Sequence, residues 1–219
     1  MDGNGRWAKL HNKPRSSGHR AGGEVVQKII KAAADADIEV LSLFAFSTEN
    51  WRRPKKEVDN LMQLFLKGLQ ESTKKLHKNQ IQLRFIGDLS RFSVKLRQQI
   101  KQAIELTQHN TGLKLVIAVN YGGQWDILQA AKKIIRQKID VENLSTETFA
   151  KFLVTADLPD PDLFIRTSGE QRISNFFLWQ LAYAELYFTD VLWPAFNEQH
   201  FMQALESFAN RKRRFGKIE

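Results

Sequence analysis

The chain has 219 residues and a formal net charge of +9, from 33 Lys and Arg against 24 Asp and Glu. This length suits one domain with a substantial core, and the hydrophobic fraction of 42% excludes an intrinsically disordered chain. The lack of cysteine excludes disulfides, thiolate metal sites and a cysteine nucleophile, and no apolar run is long enough for a membrane-spanning helix. The basic excess indicates an anionic partner, which leaves nucleic acid, an anionic membrane surface and phosphorylated small molecules open.

Helical and strand-like patterns alternate along the chain. Apolar residues three and four positions apart predict amphipathic helices, and short apolar runs predict strands of a buried parallel sheet. In chain order the predicted elements are a helix over 22–36, a strand over 39–46, a helix over 57–78, a strand over 81–87, a helix over 93–108, a strand over 113–120, a helix over 125–135, a short helix over 145–154 capped by Ser145, a strand over 162–167, a helix over 176–183, a strand over 185–189 and a last helix capped by Asn197. The alternation predicts a single α/β domain with a mainly parallel central sheet flanked by helices.

Loops that follow the strands are the predicted ligand sites, because open α/β sheets bind ligands beyond the carboxyl ends of their strands. Two of these loops, residues 47–53 and 166–172, carry paired arginines beside small hydroxyl or amide residues. The planar fork of arginine suits phosphate oxygens, and Ser, Asn and backbone N–H groups add further donors. Phosphate binding is therefore the chemistry that these loops favour.

The first residues form a glycine-rich motif in which Gly3 and Gly5 flank Asn4 and Arg6 follows. Such a segment lets backbone N–H groups approach an anion closely, and Asp2 is suited to hold a Mg²⁺ that bridges diphosphate oxygens. A flexible glycine-rich terminus accounts for the same residues. The motif is neither a Walker loop nor a dinucleotide-binding fingerprint.

A second basic cluster, Arg15 with His19 and Arg20, precedes the helix predicted over 22–36, and Gly18, Gly22 and Gly23 are expected to let the chain turn there. Anions are favoured at a helix N-terminus, and these cations would add to that effect. A solvated basic patch is the alternative interpretation.

Three later features have both a functional and a structural interpretation. Residues 47–53 lie before Pro54 and a charged run, which suits a mobile lid or a plain hairpin turn. In the loop 166–174, Arg166, Arg172 and Ser174 are placed to close on one diphosphate, or to form a salt-bridge network. Glu185 is a candidate second metal ligand or an ordinary surface carboxylate.

The wide apolar face of the helix over 57–78 suits core packing and equally suits the wall of an apolar substrate tunnel. Other chemistries lack their motifs, since the sequence has no G-x-S-x-G nucleophile elbow, no zinc-ligand spacing among its five histidines and no RNA-binding signature.

Six segments together resemble the cis-prenyltransferase family, in the order of that family and over almost the whole chain. They are MDGNGRW, GHRAG, FSTENWRRP, NYGGQWDI, IRTSGEQRISNFFLWQLAYAEL and FTDVLWP. The resemblance implies a parallel sheet flanked by helices, distinct from the Rossmann topology. It also implies a Mg²⁺-dependent transferase that extends farnesyl diphosphate by successive cis additions of isopentenyl diphosphate. The expected product is a long polyprenyl diphosphate such as undecaprenyl diphosphate, the lipid carrier for cell-wall polysaccharide synthesis.

The resemblance assigns roles to the residues that match the family's motifs. It implies that Asp2 binds Mg²⁺ and assists departure of the allylic diphosphate, and that Asn50 accepts the proton that is lost. We expect the neutral amide of Asn50 to orient a proton acceptor, since an amide is itself a poor base. The residues implied to cradle the allylic diphosphate are Gly3, Asn4, Gly5, Arg6, Arg15 and His19, with Trp7 beside it.

Further roles follow from the same resemblance. Ser47, Thr48 and Glu49 are implied to line the reacting centre, and Trp51 and Arg53 to belong to a closing loop. The residues implied to hold isopentenyl diphosphate are Arg166, Arg172 and Ser174. Glu185 corresponds to the second metal position, reached across a homodimer interface, and the helix over 57–78 to the tunnel wall.

The implied setting is a cytoplasmic homodimer that binds no nucleic acid, with residues 211–214 available to an anionic membrane. Two departures from the family are expected to matter. Residues 1–219 are predicted to lack the strand that normally precedes the first motif, and Gln171 stands where many relatives carry histidine. A catalytically inactive subunit and a nucleic-acid-binding module are the competing hypotheses. The first is opposed by a set of retained site residues: Asp2, Asn50, Arg166, Arg172, Ser174 and Glu185. The second does not explain the acidic pair Asp2 and Glu185 among the basic loops.

Overall fold

The computed structural model describes residues 1–211. The helices are α1 (Asn4–Leu10), α2 (Arg15–Asp35), α3 (Lys55–Lys78), α4 (Val94–Thr107), α5 (Gly123–Arg136), α6 (Thr146–Ala150) and α7 (Glu198–Ala209), with short 3₁₀ helices at Thr48–Arg52, Val141–Asn143 and Trp193–Ala195. The strands are β1 (Val40–Ser47), β2 (Gln82–Ile86), β3 (Lys114–Tyr121), β4 (Leu163–Arg166) and β5 (Glu185–Phe188).

The chain divides into two compact units. The first unit comprises Met1–Ala36, Asp160–Ile173 and the residues from 180 to 211. The second unit comprises Asp37–Pro159 and Ser174–Trp179. Each unit has its own sheet and its own share of the predicted site residues.

The second unit is built on a three-stranded parallel sheet in which β3 lies between β1 and β2. Leu43 of β1 and Phe85 of β2 are both in register with Ile117 of β3. Every residue of β3 after Lys114 is buried, as expected of a central parallel strand covered on both faces. Polar residues at the carboxyl end of β3 are thereby held in fixed positions.

The first unit contains a two-stranded parallel sheet, in which Leu163 pairs with Glu185 and Arg166 pairs with Phe188. Helices α1, α2 and α7 belong to this unit, and the indole N–H of Trp193 donates to the backbone oxygen of Gly22 in α2 at 2.9 Å. Every strand pair that the described residues form is parallel, so the predicted α/β class with a parallel sheet is confirmed.

The sequence-based boundaries are close for most elements, and both predicted caps are confirmed. The Ser145 side chain accepts from the backbone N–H of Thr148 at 3.2 Å, and the Asn197 side chain accepts from that of His200 at 3.0 Å. The helix after Ser145 is shorter than predicted, since α6 ends at Ala150.

Two predictions of local structure are wrong. The glycine-rich start is mostly the helix α1, and α2 begins at Arg15 rather than at residue 22, so Arg15 and His19 lie inside a helix. The helix predicted over 176–183 is absent and turns take its place. Phe177 has a φ of 47°, a left-handed backbone that ends any helix, and its ring stacks on Phe176 with centroids 4.0 Å apart.

Gly18 and Gly22 serve helix packing and not the tight turn that we predicted. A Cβ on Gly18 would lie 2.0 Å from the backbone oxygen of Asn4, and one on Gly22 would lie 2.1 Å from the side-chain oxygen of Asn4. Both glycines therefore let α1 lie directly on α2. A Cβ on Gly23 would meet no atom within 4 Å.

This difference gives a test with a built-in control. Gly18→Ala is expected to lower the free energy of unfolding by about 1–3 kcal/mol, because the new methyl group overlaps the backbone of α1. Gly23→Ala is expected to raise it by about 1 kcal/mol, since alanine favours the helix and the space is open. Urea denaturation measures both, and equal effects of the two substitutions would contradict the packing role of Gly18.

Candidate active site

Asp2 is fixed at the carboxyl end of β4 by two reciprocal hydrogen bonds. Its backbone N–H donates to the hydroxyl of Thr167 at 2.9 Å, and that hydroxyl donates to the backbone oxygen of Asp2 at 2.9 Å. The backbone N–H of Trp193 also donates to this oxygen at 2.9 Å. Asp2, which the resemblance implies is the metal ligand, thus lies beyond the end of a parallel strand, where ligand sites were predicted.

The carboxylate of Asp2 is held in its ionised form. The backbone N–H of Gly3 donates to Oδ1 at 2.7 Å and Nη2 of Arg166 donates to Oδ2 at 3.1 Å. Burial alone would raise the pKa of Asp2, but the hydrogen bonds from Arg166 and Gly3 and the charge of Arg166 outweigh it, so the pKa lies below its ordinary value. Gly3 adopts a φ of 100°, which favours glycine at this position.

The lowered pKa predicts how acid acts on the Asp2–Arg166 contact. The contribution of this contact to the free energy of unfolding is expected to be complete above pH 3.8, the ordinary pKa of an aspartate. It is expected to be lost as the pH falls through the lower pKa that Asp2 has in the folded state. The measurement is the difference in free energy of unfolding between wild type and Asp2→Asn, followed from about pH 6 to about pH 2. A difference that already disappears above pH 3.8 would contradict the lowered pKa.

Arg166 uses both arms of its guanidinium group. It is 9% exposed, and while Nη2 contacts Asp2, Nη1 donates to the backbone oxygen of Arg172. One buried cation therefore connects the first motif to the loop after β4. This contact with Arg172 could not be inferred from the sequence, because it involves a backbone atom.

Two further arginines share the carboxylate of Glu170. Nη2 of Arg6 lies 3.0 Å from Oε1 of Glu170 and 2.5 Å from the hydroxyl of Ser168, and Nη1 of Arg172 contacts Oε2. The side chains of Arg6 and Arg172 are 49% and 62% exposed, so both guanidinium groups remain accessible. A salt-bridge network, one of our two interpretations of this loop, is present, and sequence reasoning missed Glu170 and Ser168 as its members.

The remaining predicted residues of the first motif lie on α1 and the start of α2. A Cβ on Gly5 would lie 3.2 Å from the guanidinium carbon of Arg15, so these residues are in direct contact. The ring of Trp7 stacks on His11 with centroids 4.1 Å apart. His19 is half-buried in α2.

In the second unit, the segment predicted as a loop is the 3₁₀ helix Thr48–Arg52. The amide oxygen of Asn50 accepts from the backbone N–H of Ser47 at 3.2 Å, and the Ser47 side chain caps the helix in return. Arg53 forms an ion pair with Glu57 at 3.2 Å, which ties this segment to α3. The order of the segment thus has a local cause, a reciprocal capping box.

Trp51 is held by two successive hydrogen bonds that were not predicted from the sequence. Its indole N–H donates to the side-chain oxygen of Asn120 at 2.7 Å, and the Asn120 amide donates to the backbone oxygen of Asp88 at 2.6 Å. The guanidinium carbon of Arg91 lies 4.2 Å from the centroid of the Trp51 ring, a cation–π contact. The available signal was the position of Asn120 at the end of a buried strand.

The loop from Arg166 to Ser174 is divided between the units. Arg166 and Arg172 belong to the first, whereas Ser174 belongs to the second and has a φ of 47°. The grouping of all three on one diphosphate stays a prediction. Gln171 is exposed.

Glu185 lies at the opposite end of the β4–β5 pair from Asp2. It begins β5 level with Leu163, whereas Asp2 is bonded to Thr167 beyond the end of β4, and four residue steps along a strand separate the two by about 13 Å. Glu185 forms an ion pair with Arg211 at 2.7 Å. Within residues 1–211 no three acidic or histidine side chains gather into a metal-ion cluster. Residues 212–214 of the predicted membrane-contacting tail lie outside the described part of the chain.

A sequence profile described as "Putative undecaprenyl diphosphate synthase" matches residues 1–216. The chain belongs to this family of cis-prenyltransferases. Its similarity to a Coxiella burnetii protein named ditrans,polycis-undecaprenyl-diphosphate synthase ((2E,6E)-farnesyl-diphosphate specific) is 57% identity, over 99% of this chain and 93% of the relative. A Haemophilus influenzae protein of the same name is 54% identical, over 100% of this chain and 93% of its own length. The resemblance stated from the motifs is therefore confirmed.

Solved structures of cis-prenyltransferases share the fold. Lavandulyl diphosphate synthase from Lavandula x intermedia, solved with dimethylallyl diphosphate, superposes with a TM-score of 0.96 at 39% identity, covering 99% of this chain and 95% of the other. A probable undecaprenyl diphosphate synthase from Campylobacter jejuni gives a TM-score of 0.82 at 40% identity, covering 90% and 93%. Across the described residues of this family member, no helix is both long and apolar enough to span a bilayer.

Proposed function

We propose that this cis-prenyltransferase extends farnesyl diphosphate by successive cis additions of isopentenyl diphosphate. The proposed product is undecaprenyl diphosphate, the lipid carrier for cell-wall polysaccharide synthesis. The observation that carries the proposal is the ionised carboxylate of Asp2, held by Arg166 at the end of β4 near the accessible guanidinium groups of Arg6 and Arg172. The names of the Coxiella and Haemophilus relatives support the choice of starter and product.

The donor set of the first unit fits Mg²⁺. Mg²⁺ in proteins is typically bound by one or two carboxylates with phosphate oxygens of the substrate and water, and Asp2 offers an ionised carboxylate whose side chain is 44% exposed. When bound, Mg²⁺ neutralises the negative charge that develops on the departing diphosphate. The chain's own part is to keep Asp2 ionised and fixed, which Arg166, Gly3 and Thr167 do.

Arg6 and Arg15 of the first unit are proposed to bind the allylic diphosphate, and Arg166 and Arg172 to bind isopentenyl diphosphate. Breaking the allylic C–O bond places charge on the diphosphate, and guanidinium groups and backbone N–H groups that are already in position stabilise that charge without reorganisation. The guanidinium group of Arg15 lies against Gly5, whose lack of a side chain leaves room for it. Glu170 keeps Arg6 and Arg172 oriented through its two oxygens.

The contacts of Asn50 support an orienting role and not that of a base. Its amide oxygen already accepts from the backbone of Ser47, so Asn50 has donors to offer to an anionic proton acceptor such as a diphosphate oxygen. Transfer of the C2 proton of isopentenyl diphosphate to that acceptor restores the double bond of the lengthened chain.

The apolar face of α3 is proposed to bind the growing chain. Val58, Leu69 and Leu76 are buried, but the residues between them are only half-buried: Leu61, Met62, Leu64, Phe65 and Leu66. An apolar stretch that stays accessible along a helix suits an apolar ligand.

A homodimer, a cytoplasmic location and contact of the C-terminal tail with an anionic membrane are part of the proposal. The exposed Tyr183 and Leu186, at 78% and 38%, support a subunit contact along β5. Such a contact would bring Glu185 to a partner's substrate, which its distance from Asp2 within one chain otherwise prevents.

The decisive experiment incubates the purified protein with farnesyl diphosphate, radiolabelled isopentenyl diphosphate and Mg²⁺. The expected result is a butanol-extractable polyprenyl product whose chain length is then read by chromatography. A folded protein that yields no labelled product would overturn the proposal. A product of another length would contradict only the proposed product, undecaprenyl diphosphate.

A further inference from the structure

Asn175 lies where three stretches of this chain meet within the second unit. Its amide NH₂ donates to Oε1 of Glu49 at 2.8 Å, and its amide oxygen accepts from the backbone N–H of Gln124 at 2.9 Å. Its backbone oxygen accepts from the N–H of Gly123 at 2.7 Å. One residue therefore contacts both the 3₁₀ helix Thr48–Arg52 and the first turn of α5.

The N-terminus of α5 has no cap of its own. The first N–H groups of a helix lack partners within the helix, and the residue before α5 is Gly122, which has no side chain to offer. Asn175 supplies acceptors for two of these groups, the N–H groups of Gly123 and Gln124, from a distant segment. The sequence gives no local sign of this cap, because it comes from a residue about 50 positions away.

The capping contact fixes the orientation of the Asn175 amide. With its oxygen on the N–H of Gln124, the NH₂ group must point the other way, toward Glu49. Rotating the amide by 180° would place the NH₂ group against the N–H of Gln124 and lose both hydrogen bonds. The direction of the donor toward Glu49 is thus set by the helix.

The backbone is adapted to this arrangement. Asn175 has a φ of 63°, a left-handed conformation that asparagine tolerates better than most residues. A Cβ on Gly122 would lie 2.6 Å from the Asn175 amide nitrogen and 2.9 Å from the hydroxyl of Thr48. Only a glycine at 122 lets both segments approach so closely.

We propose that Asn175 is a positioning residue for the reaction, which holds Glu49, and with it the 3₁₀ helix that carries Asn50, against the N-terminus of α5. The proposal rests on the proposed function. Asn175 itself does not need to touch substrate. Its part is to connect a rigid helix end to the short segment that bears the reacting residues.

Asn175→Asp separates the two contacts. An aspartate keeps the oxygen that caps α5 and suits a helix N-terminus, but it replaces the donor to Glu49 with a second carboxylate. Hydrogen exchange in residues 48–52 is expected to become faster, and kcat to fall about tenfold, with the KM for farnesyl diphosphate little changed. Thermal unfolding is expected to stay close to wild type because the cap is kept.

The double variant Asn175→Asp with Glu49→Gln provides the rescue. The glutamine NH₂ group donates to the new aspartate, which restores the hydrogen bond in the opposite direction and removes the repulsion between carboxylates. Exchange protection of residues 48–52 is expected to recover relative to Asn175→Asp, and it is the readout of this variant because Glu49 itself is proposed to line the reacting centre. The matched control is Asn110→Asp, which removes a buried donor to the backbone oxygen of Ile81 and is expected to lower stability without changing exchange in 48–52.

Asn175→Asp with wild-type exchange and kcat would overturn the proposal, and so would a double variant that fails to recover exchange protection of residues 48–52. A wild-type protein without prenyl transfer would instead refute the proposed function. In that case the exchange measurements, which need no substrate, decide by themselves whether Asn175 holds the segment.

Discussion

Asp2→Asn is expected to lower kcat for chain elongation by about a thousandfold. The substitution keeps the shape of the side chain but removes the negative charge that the first unit holds in place with Arg166 and Gly3. It also leaves the nearly buried guanidinium group of Arg166 without its carboxylate partner. Steady-state assays at increasing Mg²⁺ concentration measure the effect, and the variant is expected to need more Mg²⁺ for half-maximal rate.

Asp35→Asn is the matched control in the same unit. Asp35 pairs with the exposed Lys31 at the end of α2, and its loss is expected to leave kcat and the Mg²⁺ requirement at wild-type values. An Asp2→Asn variant that turned over within tenfold of wild type, with the same Mg²⁺ requirement, would show that the carboxylate is not a metal ligand.

Arg166→Lys is expected to lower kcat/KM for isopentenyl diphosphate about a hundredfold. A lysine keeps the charge, but its compact ammonium group cannot contact both Oδ2 of Asp2 and the backbone oxygen of Arg172, which lie on the two arms of the arginine fork. The loop after β4 would then no longer be connected to Asp2 of the first motif through one side chain. Kinetics with each diphosphate varied in turn locate the loss.

Arg84→Lys tests whether any loss of a forked arginine has this effect. Arg84 also contacts a carboxylate and a backbone oxygen, those of Asp157 and Val154, but in the second unit and at none of the proposed site residues. Its substitution is expected to reduce stability and to leave KM for isopentenyl diphosphate unchanged. Equal kinetic losses in the two variants would contradict a direct role for Arg166.

The periodic elements were predictable because their signals are local. The apolar stripes of α3 and α5, the short apolar runs of β1 to β3, and the caps Ser145 and Asn197 depend on residues near one another in the chain. Their observed bounds differ from the predicted ones by a few residues. The parallel class followed from their alternation, which the pairing of β1, β2 and β3 confirms.

The failures occurred where distant residues decide the local structure. The glycines of α2 suggested a turn, but their space is filled by Asn4 of another helix. The segment 176–183 has helical spacing, yet Phe176 and Phe177 turn to pack beside Tyr121. Tertiary packing outweighs local propensity in both cases.

The site was predictable as a set of residue types and not as a geometry. Asp2, Arg6, Arg166 and Arg172 were recognised from their motifs, whereas the residues that hold them, Thr167 and Glu170, carry no signal until the loop after β4 is seen beside the first motif. Asn120 and Asn175 were missed for the same reason, since each acts on a residue far away in sequence.

The hydroxyl of Thr167 and the backbone of Asp2 are 165 positions apart in the chain. At ribosomal rates of about 5–20 residues per second, roughly 10–30 s pass between synthesis of the one and of the other. During that interval the first motif emerges without the residues that fix Asp2. A nascent chain therefore acquires its anion-binding end late, after the helices and strands of the second unit have been made, and a translational pause before residue 166 would prolong the exposure of the unanchored segment.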